Sequence, residues 1–228
     1  MRPLVLSLLI VCAGCSVQER KAAPPVEDRD TAAAIARVRA IPGLAPRLRP
    51  DSALVPATLG VKLDGKLDLD VIVPLTARGP LRIQRDSERV LDVNAEHARD
   101  VKGLIESGAM VFVAPSDELD SVMIAEPARF TDLRVFRGPS AATARFHLRL
   151  GDGLARARIT GSVVELVGKS GAVWLHTDPL EAVDANGVHR VVTPKLEGDP
   201  RTPTLVVSIE PGGSKYPVGV AITWSETK

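Results

Sequence analysis

Residues 51–226 of this 228-residue chain predict an all-β fold, an antiparallel β-sandwich with a sub-boundary near Pro115 that would split it into two β lobes. Three observations predict it. Apolar and polar residues alternate with period two through many short runs, as strands with one buried face require. Clusters rich in Gly, Asp, Asn and Ser separate the runs, such as Gly168-Lys169-Ser170-Gly171 and Asp184-Ala185-Asn186-Gly187. No fixed-period repeat runs through the chain, which sets propellers and solenoids aside.

The first element, residues 1–14, reads as a signal peptide. Arg2 is a positive n-region, Leu4 to Val11 an apolar run, and Ala13-Gly14 the small residues of a cleavage site. The run is far shorter than the roughly 20 apolar residues of a permanent span. Both cysteines of the chain flank the cleavage site, Cys12 within the leader and Cys15 just after it. A redox Cys-x-x-Cys needs a surrounding fold, and a zinc site needs further ligands; this context offers neither. Val11-Cys12-Ala13-Gly14-Cys15 resembles a bacterial lipobox, with Cys12 where an aliphatic residue is usual. That resemblance implies palmitate-type acylation of Cys15 and cleavage before it, and Ser16 resembles an outer-membrane sorting signal. The expected location is the outer membrane or cell surface through a lipid anchor, with a periplasmic or secreted product as the alternative. Acyl chains contribute about 0.8 kcal/mol per buried methylene, enough for stable anchoring when two or three are present.

The second element, residues 15–50, reads as a tether. Ala22-Ala23-Pro24-Pro25 is linker-like. The run from Asp28 to Gly43 then predicts a short helix, with Asp30 or Thr31 as its cap and Pro42-Gly43 as its stop. Ile35, Val38 and Ile41 make a thin apolar stripe. Two readings follow: a spacer that lifts the domain off the membrane, or a helix docked on that domain.

Strands fill the rest. VKLDGKLDLDVIV alternates around Asp64-Gly65, and RVLDV, MVFVA, SVMIAE, LRVF, ARFHLRL, VVELV, AVWLHT, HRVVTPKL, TLVVSIE and VGVAITW follow. Residues 96–108 suit either a short helix or a loop.

Charge excludes some functions. The chain has 29 basic and 28 acidic side chains, and removal of Arg2 brings these to balance, unlike the basic excess of a nucleic-acid binder. Only seven aromatic residues are present, all from Phe112 onward, which argues against stacking platforms for sugars or single strands.

Leu150-Gly151 with Gly153-Leu154, Pro179 with Ala182-Val183-Asp184, and Tyr216-Pro217-Val218 mark a further likeness. The chain from about Pro50 resembles a β-rich module near the N-terminus of large secreted proteins of myxobacteria and relatives, where kelch-like or other propeller repeats commonly follow. It differs at Ala221-Ile222, where the module has Asp-Pro. The resemblance implies an exported β scaffold and supplies no catalytic residue.

The candidate binding residues come from ARFHLRLGDGLARARI. With Phe146, Leu148 and Leu150 inward, Arg145, His147 and Arg149 face out; on the return strand Arg156 and Arg158 do so. A four-residue loop at Gly151–Leu154 would set Arg149 opposite Arg156 and His147 opposite Arg158. Like charges so placed repel, so the arrangement predicts either compensation by Glu165, Glu181 or Asp184, or an anion site for polysaccharide, glycolipid phosphate or an acidic protein face. Trp174, His176 and Asp178 would share a second face, unless a bulge inverts it. His97, His147, His176 and His189 have no metal-ligand spacing, so no metal and no cofactor is expected. The leading expectation is a lipid-anchored envelope protein with a structural or binding role, partnered by the membrane and by anionic polysaccharide or other envelope proteins. The alternative is a carbohydrate-active or peptidoglycan-directed hydrolase, which needs two converging carboxylates or a metal cluster.

Overall fold

The computed structural model describes residues 29–48, 54–57, 60–63, 69–116, 118–126, 129–139, 142–210 and 212–227. The leader 1–14, Cys15, the tether up to residue 28 and the Asp64-Gly65 turn lie outside the described residues.

Helix α1 spans Arg29–Arg39, and a 3₁₀ turn follows at Ala45–Arg47. The strands are β1 (Leu54–Ala57), β2 (Gly60–Leu63), β3 (Asp70–Val73), β4 (Leu81–Arg85), β5 (Glu88–Ala95) and β6 (Leu104–Glu106). Next come β7 (Ala109–Ser116), β8 (Leu119–Glu126), β9 (Arg129–Phe136), β10 (Thr143–Leu150), β11 (Leu154–Thr160) and β12 (Val163–Gly168). The last are β13 (Val173–Thr177), β14 (Glu181–Asp184), β15 (His189–Arg190), β16 (Val192–Glu197), β17 (Thr204–Ile209) and β18 (Val218–Glu226).

Two antiparallel sheets form the sandwich. The eight-stranded sheet runs β1-β2-β3-β4-β5-β10-β17-β16. The ten-stranded sheet runs β11-β12-β13-β18-β9-β8-β7-β6, with β14 and β15 attached beside β18. Both sheets draw strands from either side of Pro115, and β7 runs through that residue, so no layer boundary falls there. Pro56 and Pro194 sit in the two outermost strands of the eight-stranded sheet, where a missing amide costs no ladder bond and discourages edge-to-edge pairing.

The core lies between the sheets. Phe146, Leu148 and Leu150 of β10 and Leu205, Val207 and Ile209 of β17 face Phe130, Phe136, Val220 and Ile222 from the other sheet. In β10 the alternation read from the sequence resolves into one buried face, whereas β9 is buried on both.

A second apolar cluster lies on the outside of the ten-stranded sheet. Ile35, Val38, Ile41 and Leu44 pack on Val111, Ile124, Leu133 and Val135. The segment read as spacer or docked helix is, over residues 29–48, a docked one. Asp30 occupies the first turn of α1 rather than its cap, where its charge still suits the helix dipole. Gly43 takes a left-handed φ of 83° in the Pro42-Gly43 turn after the helix, closed by the Leu44 amide on Ile41 O at 3.2 Å. Gly219 matters for the seat: a Cβ there would overlap Leu44 Cδ1 and press on Ile41.

Three arginines fasten this segment. Arg37 Nε donates to Asp120 Oδ2 at 2.8 Å, and Arg137 Nε reaches the same oxygen at 3.1 Å. Asp120, with no exposed side-chain surface, also accepts from the Ala114 amide at 3.0 Å, where β7 bulges and Ala114 takes a φ of 46°. Arg39 donates to Ser107 Oγ at 2.9 Å, and Arg47 donates to Thr223 Oγ1 at 3.0 Å.

Of the two readings for residues 96–108, the loop holds for 96–103, and Leu104–Glu106 within the same range form β6. The loop's amides bond to other segments instead of to their own fourth neighbours: Arg99 N to Pro115 O at 2.7 Å and Gly103 N to Leu75 O at 2.8 Å.

Candidate anion-binding face

The sequence pairs Arg149 with Arg156; the structure separates them. β10 belongs to the eight-stranded sheet and β11 to the ten-stranded one, so Gly151–Leu154 carries the chain between layers. Gly151 makes the corner. Its amide bonds Val90 O at 2.8 Å, and a Cβ would overlap the Arg89 carbonyl oxygen. Arg149 instead faces Asp92, and His147 faces Asn94, both on β5.

The outer face of the eight-stranded sheet therefore holds a different constellation. Arg82, Asp92 and Arg149 lie side by side on β4, β5 and β10. Arg82 Nε donates to Asp92 Oδ1 at 2.8 Å, and Arg89 Nη1 stands 3.9 Å from Asp92 Oδ2. Residues 89 and 92 would lie on opposite faces of a regular strand. β5 carries one extra residue between the Ile83–Leu91 and Gln84–Arg89 pairs, and this bulge at Val90 puts both on the outer side. Two guanidinium groups thus approach one nearly buried carboxylate, and Arg149 stands opposite it in register. Among the described residues Arg149 has no carboxylate within 4 Å of its guanidinium, and Arg89 Nε is buried with no hydrogen-bond partner. A hollow of about 470 Å³ adjoins the row, walled by Ile72, Pro74, Leu75, Pro80 and Arg82, and Leu75 is 55% exposed. Such a face can hold an anionic group on guanidinium donors while an apolar part lies in the hollow.

The other sequence candidates are placed as follows. Arg145 is bound by Glu96 and, at 3.0 Å, by Glu197. The Arg145 bond holds the Glu96 carboxyl below its ordinary range against the opposing effect of burial. His147 Nδ1 lies 2.9 Å from Thr204 Oγ1. Arg158 bonds Glu165 at 2.5 Å, the compensation the sequence suggested, and Arg156 stands exposed beside Val167. Glu181 pairs with His189 at 3.4 Å and Asp184 with Arg190 at 2.7 Å, so neither serves the β10 arginines.

Trp174 is the extra residue of β13 at a bulge against β12. Its indole covers Gly153 and Gly168, packs on the core, and lies 5.2 Å from the Arg85 guanidinium. His176 Nδ1 lies 3.1 Å from Thr227 Oγ1, and Asp178 binds Arg129 at 3.1 Å. Trp174, His176 and Asp178 therefore do not converge on one ligand.

Sequence reasoning missed Arg82, Arg89 and Asp92. The only local signal is the alternation of Leu81-Arg82-Ile83, which turns Arg82 outward. Among the described residues no three His, Cys, Asp or Glu side chains group as a metal site would need. Compared with known proteins, the chain matches no family model, no curated protein and no solved structure.

Proposed function

We propose that this chain is a lipid-anchored cell-envelope binding module, tethered through Cys15, whose outer eight-stranded face engages anionic groups of envelope components. The observation that carries the binding role is the row of Arg82, Arg89 and Arg149 on one face, of which only Arg82 and Arg89 approach Asp92, with an apolar hollow beside it. The lipobox-like run ending at Cys15 supports the anchor. The envelope setting narrows the ligand chemistry to phosphate or carboxylate groups on polysaccharide or glycolipid.

The test uses the full chain purified in mild detergent and lipopolysaccharide as the probe. Arg149→Glu is expected to weaken binding at least about tenfold, and binding should fall as salt shortens the screening length from ~10 Å at 0.1 M. Arg156→Glu, on the other sheet, should bind like wild type. Unchanged binding in Arg149→Glu, or equal loss in both variants, removes the face as the site. In cells, Cys15→Ala should abolish labelling by a palmitate analogue and release the protein from the membrane fraction; retained label ends the anchoring proposal.

A further inference from the structure

The inner faces of a β-sandwich are normally filled by apolar side chains, yet β9 points Asp132 and Arg134 into this one. They lie between Phe130 and Phe136 on the inward side of the strand, which period two requires of alternate residues. Arg134 Nη2 donates to Asp132 Oδ2 at 2.6 Å, and Ser121 Oγ lies 3.3 Å from Asp132 Oδ1. The pair is desolvated, with side-chain exposures of 5% and 3%. The Arg134 guanidinium stacks on Phe146 of the opposite sheet, 4.8 Å from the ring centre. Its Nε is buried and has no hydrogen-bond partner. A charged donor left without an acceptor in such surroundings is unfavourable, and apolar residues of similar volume would serve packing as well or better.

Arg134 also lines a cavity of about 240 Å³ that opens at the end of the sandwich. Ala95, Ala98, Pro115, Leu119, Ala144 and Phe146 make the apolar part of its wall, and Thr143 and His97 stand beside them. Glu96 and Arg145 stand at the rim, already bound to each other. The cavity suits a small molecule and not a polymer. Charge selects the class. Asp132 neutralises Arg134, and Glu96 is held ionised by Arg145, so a carboxylate ligand would bring an uncompensated negative charge into a low-dielectric space. An ammonium would meet Arg134 directly. An uncharged acceptor avoids both.

We infer that this cavity is a binding site for a small, uncharged, largely apolar molecule carrying one carbonyl-type oxygen, an amide, ester or ketone, which accepts from Arg134. The site is independent of the outer face: it lies between the sheets and uses none of Arg82, Arg89 or Arg149.

The test compares three probes of one shape, benzamide, benzoate and benzylamine, on the full chain in mild detergent, read by saturable rise of Tm and by hydrogen exchange at residues 95–98 and 144–146. Benzamide is expected to raise Tm and slow exchange there, benzoate to need at least about tenfold more ligand, and benzylamine to do neither. Arg134→Met alone strands Asp132 in the core and is expected to unfold easily. The double variant Asp132→Leu with Arg134→Met removes both charges and should fold at least as stably as wild type, yet fail to respond to benzamide. Ala144→Leu, which fills the cavity and leaves the pair intact, should fail likewise. No response to benzamide, benzoate binding as well as benzamide, or an undiminished response in the double variant or in Ala144→Leu overturns the assignment.

Discussion

The two sheets present opposite outer faces. That of the ten-stranded sheet is apolar, with Val111, Ile124, Leu133 and Val135, and the chain covers it with its own α1 and the turn after it. That of the eight-stranded sheet carries Arg82, Asp92, Arg145, His147 and Arg149, and no described element lies over it. The difference separates structural charge from available charge. Around Asp120, two arginines and a bulge amide saturate one carboxylate, and through Arg37 that cluster fastens the cover to the sheet. Around Asp92, Arg82 and Arg89 share one carboxylate while Arg149, opposite it in register, has none within 4 Å among the described residues.

The largest effect is expected where that fastening fails. Asp120→Ala strands Arg37, Arg137 and the Ala114 amide together. Removing one partner of a fully buried pair costs about 3–5 kcal/mol, and the partial exposure of both arginines lowers the figure here to about 3 kcal/mol. Urea denaturation measures it. A loss under ~1 kcal/mol would mean that the cover is held by apolar contact alone.

The next effect isolates the apolar half of the same seat. Gly219→Ala drives a Cβ into Leu44 and Ile41, and overpacking of this kind costs about 1–3 kcal/mol. Hydrogen exchange should speed up across residues 34–48 and on the strands beneath, and stay unchanged in β4, β5 and β10. Equal loosening of both sheets would show that the cover and the sandwich are one cooperative unit, and the contrast between the faces would lose its energetic content.

How much of this was legible follows from which contacts are local. The alternation of Phe146, Leu148 and Leu150 with Arg145, His147 and Arg149 fixed both the strand and its outward side. Turn residues marked Asp184–Gly187 as a turn, but not that Asp184 would bind Arg190 and three backbone amides, which together lower its carboxyl to about 2. The single-residue bulges at Val90 and Trp174 are invisible to a period-two count, and each moves a side chain to the other face. The layer change at Gly151 is likewise silent, because a hairpin and a crossover use the same glycine-rich turn. Arg82 and Asp92 reach Arg149 through pairing of β4 with β5 and of β5 with β10, the latter across more than 50 residues, and nothing near Arg149 announces it.

The smallest effect is the sharpest discriminator between the faces. Arg149→Ala should change stability by no more than about 0.5 kcal/mol, the ordinary range for a surface substitution. Asp92 keeps Arg82 at 2.8 Å and Arg89 at 3.9 Å without it, so no buried carboxylate is stranded. Loss of one of three like charges can even relieve repulsion, which would show as a slight gain at low salt that vanishes as salt screens it. A cost above ~1 kcal/mol would make Arg149 a structural pin of the same kind as Arg37, and the outer face would then lose the guanidinium it has to spare for a ligand.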